Sequence, residues 1–162
     1  MVTVITGPIN SGKTTRIHEI YKNLKSGDGF VSIKNMNGSL VEGFDLMRLS
    51  TGETKPFIRR WDEKPDGWKE NCTLGPYTVS DTAVKWVNRE IDKLAKSDIE
   101  AILIDEAGVL EINGKCFFKV IKTILDSGKD IFITVRDKNK NAVIEHFGIT
   151  DANIIVTGER YA

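Results

Sequence analysis

The sequence predicts an α/β fold of three layers, with a mostly parallel sheet between helices. Three observations predict it. Short β-rich runs alternate with segments of helical period along most of the chain. The first run, Val2–Thr6, leads at once into a glycine-framed loop and an amphipathic helix. A second apolar run, Ala101–Asp105, ends in two adjacent acids, Asp105 and Glu106, and strand carboxyl ends are where open α/β sheets bind ligands.

The elements follow in order. Val2–Thr6 is compact and apolar, as a buried strand is. Residues 13–25 read as a helix whose inner face carries Ile17, Ile20, Tyr21 and Leu24 at i, i+3, i+4 and i+7. Gly27 and Gly29 are expected to end it, before a short strand at Phe30–Ile33. Residues of about 34–79 read as an insertion. It holds a hairpin of Gly43–Leu49 and Lys55–Arg60 around Thr51-Gly52-Glu53, then an irregular loop at Trp61–Leu74. Regular alternation resumes with a strand at Tyr77–Val79 and a helix capped by Ser80 or Asp81, with Val84, Val87, Ile91 and Leu94 inward. Beyond the acidic strand come a helix at Lys115–Ser127 ended by Gly128, a strand at Asp130–Val135, a helix at Asn139–Phe147 and a strand at Asn153–Val156.

With 162 residues, the chain is expected to form a single domain, 1–162. Lys+Arg and Asp+Glu number 23 each, so bulk charge does not hold it to nucleic acid or to a membrane surface, although a local basic groove stays open. A composition 40% apolar and 28% charged suits a soluble globular domain. No run approaches the roughly 18 apolar residues of a membrane span, and Met1–Thr6 reads as a strand rather than a secretory leader. Cys72 and Cys116 lack metal-ligand spacing and are expected as reduced thiols. These points predict a cytoplasmic protein without a membrane partner.

Gly7-Pro8-Ile9-Asn10-Ser11-Gly12-Lys13-Thr14 matches G-x-x-x-x-G-K-[ST] in the strand–loop–helix setting that the motif requires. A loop that wraps a polyphosphate needs inward backbone N–H groups, which glycines permit, and the helix start adds free donors and a positive dipole end. Lys13 is placed for the β- and γ-phosphates and Thr14 for Mg²⁺, while Thr15 either reaches a phosphate or is an ordinary helix residue. Nucleotide binding is therefore assigned to Gly7, Pro8, Ile9, Asn10, Ser11, Gly12, Lys13, Thr14 and Thr15. The partner it implies is a nucleoside triphosphate.

In that company Asp105 reads as the Walker B carboxylate, holding Mg²⁺ together with Thr14. Glu106 is positioned to orient or deprotonate an attacking water; the plainer alternative is a solvated loop acid. Glu111 is open between a solvated acid, a helix-entry residue and a supporting role behind the site. On the next strand Thr134 could sense the γ-phosphate and Arg136 could stabilise transition-state charge; the alternatives are a β-branched strand residue and a solvated arginine. The catalytic candidates are Lys13, Glu106 and Arg136. Trp61 and Trp68 could stack on bases, but packing of the loop onto the sheet is the simpler reading. Arg59, Arg60, Lys64 and Lys69 keep nucleic acid possible, yet Asp62, Glu63, Asp66 and Glu70 interleave with them and disfavour it.

In order, these features resemble the small single-domain P-loop nucleoside-triphosphatases, the family of the thermophile and cancer-related enzymes. The resemblance rests on the early phosphate loop, Thr51-Gly52-Glu53, Gly75-x-Tyr77-x-Val79 and Asp105-Glu106-x-Gly108-x-x-Glu111. It implies an additional-strand fold like that of RecA and AAA ATPases, and Mg²⁺-dependent hydrolysis of several nucleoside triphosphates. Ser80 and Val109 depart from the family's acid and basic residue at those places, and the family continues further past the last strand than Arg160 and Ala162 do here. Two other readings use the same scaffold. One is a small-molecule kinase with residues 34–74 as an acceptor lid. The other is a nucleotide-gated module acting on a protein or nucleic acid.

Overall fold

The computed structural model describes residues 1–158. From the N-terminus, β1 (Val2–Gly7) leads into α1 (Lys13–Asn23). Then come β2 (Gly27–Asn37), β3 (Leu40–Arg48) and β4 (Thr54–Arg60), a 3-10 turn at Trp61–Glu63, β5 (Glu70–Leu74) and β6 (Tyr77–Ser80). There follow α2 (Asp81–Lys96), β7 (Ala101–Ala107), α3 (Val109–Ile112), α4 (Phe118–Asp126), β8 (Asp130–Arg136), α5 (Lys140–His146) and β9 (Asn153–Val156).

Among the described residues nine strands make one sheet, in the order β5-β6-β4-β3-β2-β7-β8-β1-β9. β2, β7, β8, β1 and β9 run parallel, and β3, β4, β6 and β5 extend the sheet as an antiparallel wing. β8 lies between the loop strand β1 and the acidic strand β7, which is the additional-strand arrangement expected. Period-2 alternation sorts the side chains of β7: Ile102 and Ile104 join the cluster under α2 and α4, while Leu103 joins Ile5, Val31 and Ile17 beneath α1. The helical layers are thus α1 on one face and α2, α4 and α5 on the other. Val84, Val87, Ile91 and Leu94 of α2 are all buried, and truncating one of the fully buried ones, such as Ile91, would cost about 2–5 kcal/mol.

Three local expectations change. The strand expected at Phe30–Ile33 runs from Gly27 to Asn37, because Gly27 and Gly29 pair with Ala101 and Leu103 of β7 instead of ending the helix. The loop expected over Trp61–Leu74 ends in β5, an edge strand in which only Cys72 is buried, so it carries almost no apolar period. Trp68 ties the remaining loop to the sheet by donating from Nε1 to Thr78 Oγ1 (3.1 Å), whereas Trp61 is 52% exposed with Lys64 over its ring. The helix expected at Lys115–Ser127 starts at Phe118, and a separate single turn, α3, precedes it. Ser80 is the cap of α2 and accepts from Ala83 N at 3.2 Å. Among the described residues no helix is long and apolar enough to cross a membrane.

Candidate active site

The carboxyl ends of β1, β8 and β7 stand side by side because the three strands are parallel neighbours. They bring Gly7, Arg136 and the Asp105-Glu106 pair to one edge. The β7–β8 ladder shifts register between Ile104 and Ala107, which takes Asp105 and Glu106 out of regular pairing.

The loop from Gly7 to Thr14 turns through two left-handed residues, Asn10 (φ 59°) and Gly12 (φ 88°). Gly12 is the N-cap of α1 and supplies no side-chain cap, so the first N–H groups of the helix face the loop as free donors. Lys13 folds back across the loop and donates from Nζ to the carbonyls of Gly7 (3.1 Å) and Pro8 (2.7 Å). Burial lowers its pKa and Arg136 lowers it further, against the opposing pull of Glu106, Asp105 and Asp137. Pro8, Ile9, Asn10 and Thr15 are exposed. Behind the loop, Ser11 Oγ and Thr157 Oγ1 share a hydrogen bond of 2.7 Å, and Thr157 N donates to Thr6 O at 2.8 Å. A side chain on Gly7 would meet both of those hydroxyls at 2.5 Å, so this position has room only for glycine.

Thr14 Oγ1 donates to Asp105 Oδ2 at 2.9 Å. The same carboxylate oxygen accepts from Ser32 N (3.2 Å), and Oδ1 accepts from Thr134 Oγ1. Ser32 Oγ also donates to the carbonyl of Asp105 at 3.2 Å. Asp105 is 3% exposed, so these donors and its buried setting fix its carboxylate plane. A hydroxyl and a carboxylate meeting at a phosphate loop are hard oxygen donors of the kind Mg²⁺ takes alongside substrate phosphates and waters, so the pair fits that ion.

Glu106 is partly exposed, and Arg136 Nε lies 3.2 Å from its Oε1. Burial raises the Glu106 pKa, and the neighbouring Asp105 charge adds to the rise; Arg136 and Lys13 oppose it. A carboxylate poised upward in this way is a better proton acceptor than an ordinary one. Glu111 stands apart from this group. It is 4% exposed, accepts from Gly108 N (2.8 Å) and Phe117 N (3.3 Å), and burial carries its pKa to about 7. It braces the turn that follows Glu106 and is not a solvated acid.

Lys13, Thr14, Asp105, Glu106, Thr134 and Arg136 therefore meet. The basic residues expected around Trp61 are partly neutralised: Arg59 pairs with Asp45 at 2.6 Å and Arg60 with Asp62 at 3.8 Å. Arg160 lies outside the described residues. Sequence reading missed Ser32, Lys34 and Thr157. Each reaches the site from a strand or strand end remote in sequence, and no motif marks them; Lys34 Nζ donates to Asn10 Oδ1 at 2.8 Å.

The chain is similar to proteins of known name and structure. The profile of a family described as NTPase matches residues 2–160. The human cancer-related nucleoside-triphosphatase is 32% identical over 137 residues, which span 80% of this chain and 71% of the relative. The nucleoside-triphosphatase THEP1 of Thermotoga maritima is 27% identical over 153 residues, 89% of this chain and 84% of the relative. The solution structure of a human cancer-related nucleoside triphosphatase superposes with a TM-score of 0.68 at 26% identity, covering 95% of this chain and 87% of that one. The crystal structure of THEP1 from the hyperthermophile Aquifex aeolicus gives 0.62 at 24% identity, over 97% and 90%, and speaks to the fold alone.

Proposed function

The chain belongs to the NTPase family and is a nucleoside-triphosphatase, and from that premise we propose that it is Mg²⁺-dependent, broad in base preference, and uses Glu106 as its water-activating base. The observation that carries this reading is the Thr14–Asp105 hydrogen bond of 2.9 Å at the mouth of the loop, with Glu106 beside it.

Each residue has a physical task in the reaction. The loop N–H groups and the start of α1 hold the phosphates. Lys13 exchanges the carbonyls of Gly7 and Pro8 for phosphate oxygens, whose negative charge offsets the burial that depresses its pKa. Glu106 takes a proton from water as the water oxygen bonds to the γ-phosphorus and the bridging P–O bond breaks. The products are the diphosphate and inorganic phosphate. Arg136 orients the Glu106 carboxylate for that transfer. Mg²⁺ held by Thr14 and Asp105 would neutralise charge on the β- and γ-oxygens. The loop's donors address phosphates, which all four common triphosphates share, and this supports broad base acceptance.

The test is phosphate release from ATP, GTP, CTP and UTP, with and without Mg²⁺, for wild type, Lys13→Ala and Glu106→Gln. Hydrolysis of several triphosphates only with Mg²⁺, abolished in Glu106→Gln while nucleotide still binds, supports the proposal. A Glu106→Gln protein that turns over normally sinks it.

A further inference from the structure

β2 overruns its parallel neighbour. It pairs with β7 only from Gly27 to Phe30, then continues to Asn37 as one arm of a hairpin with β3. The overrun delivers two side chains to the active site. Ser32 fastens onto Asp105, and Lys34, two residues on and therefore on the same face of the strand, reaches the phosphate loop at Asn10.

The sheet order decides which end of a bound triphosphate Lys34 meets. Across the row β2-β7-β8-β1, the loop strand is at one end and β2 at the other, with Asp105 on β7 between them. A triphosphate in such a loop directs its terminal phosphate toward the metal-holding hydroxyl and carboxylate, here Thr14 and Asp105. A side chain that crosses from β2 to the loop therefore arrives on the terminal-phosphate side. Of the other two cations of the site, Lys13 meets the phosphates from within the loop, and Arg136 lies on Glu106. The only hydrogen bond of Lys34 among the described residues is to the neutral Asn10 amide, an easily exchanged partner.

We propose that Lys34 is a further catalytic residue, a cation that the β2–β3 hairpin supplies in cis to the γ-phosphate. It leaves Asn10 Oδ1 for a γ-phosphate oxygen and stabilises the charge that develops as the bridging bond breaks, the task an arginine finger performs elsewhere. The ammonium stays protonated throughout; the proton released by water still goes to Glu106. This inference rests on the hydrolytic reading above.

The experiment compares wild type, Lys34→Gln and Lys34→Arg. It measures steady-state phosphate release from ATP with Mg²⁺, and calorimetric affinities for ADP and for the β,γ-imido analogue of ATP. Lys34→Gln is expected to lower kcat by about tenfold or more, and to weaken the imido analogue while leaving ADP within about twofold of wild type. Lys34→Arg is expected to restore most of both. A Lys34→Gln protein with kcat within about twofold of wild type and an unchanged imido-to-ADP affinity ratio overturns the proposal, as does an equal loss of both affinities. If wild type releases no phosphate, the hydrolytic reading fails. The affinity ratio, which needs no turnover, then still decides whether Lys34 meets the γ-phosphate.

Discussion

Arg136 Nε lies 3.2 Å from Glu106 Oε1, across the gap between the ends of two adjacent parallel strands. If Glu106 is the base proposed above, the pairing is expected to set the working pH range. Glu106 must be ionised to accept a proton, and burial with the Asp105 charge already lifts its pKa above 4.5, with Arg136 restraining the rise. Arg136→Ala removes that restraint. The acid limb of the pH–kcat profile is then expected to move to higher pH, with the alkaline plateau reduced less than the activity on the limb itself. A kcat profile from pH 4.5 to 9 checks it. An unshifted limb would mean that Glu106 is not the group titrating there.

Thr14→Ala removes the hydroxyl that faces Asp105 and leaves the loop backbone in place. The expected result is an Mg²⁺ requirement raised by about tenfold or more, with nucleotide affinity in EDTA close to that of wild type. Titrating Mg²⁺ against phosphate release, and nucleotide binding in EDTA, separates the two effects. Equal losses in both would place Thr14 in phosphate binding alone.

The parts of the site legible in the sequence were those built from local motifs. Gly7–Thr14 and Asp105-Glu106 are contiguous, and each lies at the end of an apolar strand, so pattern and chemistry coincide. The parallel core was legible for the same reason, since β1 and β7 are buried almost throughout and β8 over Ile133–Val135. Ser32, Lys34 and Thr157 were not legible, because strand pairing, not local pattern, brings them to the loop. β5 escaped notice because an edge strand with a single buried residue lacks the alternation that betrays a half-buried one. Gly27 and Gly29 misled because glycine marks a helix end and a close strand approach alike.

Glu111 makes folding sensitive to pH. Its pKa rises from 4.5 unfolded to about 7 folded, so the folded state binds the extra proton between those values. Stability from this group is full below about 4.5, falls as pH rises, and is lost above about 7. The whole effect is about 3 kcal/mol at most. Glu111→Gln is expected to flatten the decline in stability between pH 5 and 7, checked by urea denaturation across that range. A decline as steep as in wild type would assign the pH dependence to another group. Glu111→Ala loses the bonds to Gly108 N and Phe117 N and is expected to cost about 1–3 kcal/mol.

Thr134 lies fully buried on the central strand β8 and donates to Asp105 Oδ1. Thr134→Val keeps the shape and removes the donor. One oxygen of a buried carboxylate is then left without a partner, at a cost of about 1–3 kcal/mol in stability. The same change frees the Asp105 side chain to rotate, because only the donors on Oδ2, Thr14 and Ser32, remain. A carboxylate held from one side presents its oxygens less consistently, so the Mg²⁺ requirement is expected to rise while kcat at saturating Mg²⁺ falls by less than in Glu106→Gln. Urea denaturation reads the first effect and an Mg²⁺ titration of phosphate release reads the second. Lost stability with an unchanged Mg²⁺ requirement would make Thr134 a structural partner of Asp105 and nothing more. An unchanged stability would mean that Asp105 Oδ1 finds water, and that this end of the sheet is wetter than its burial indicates.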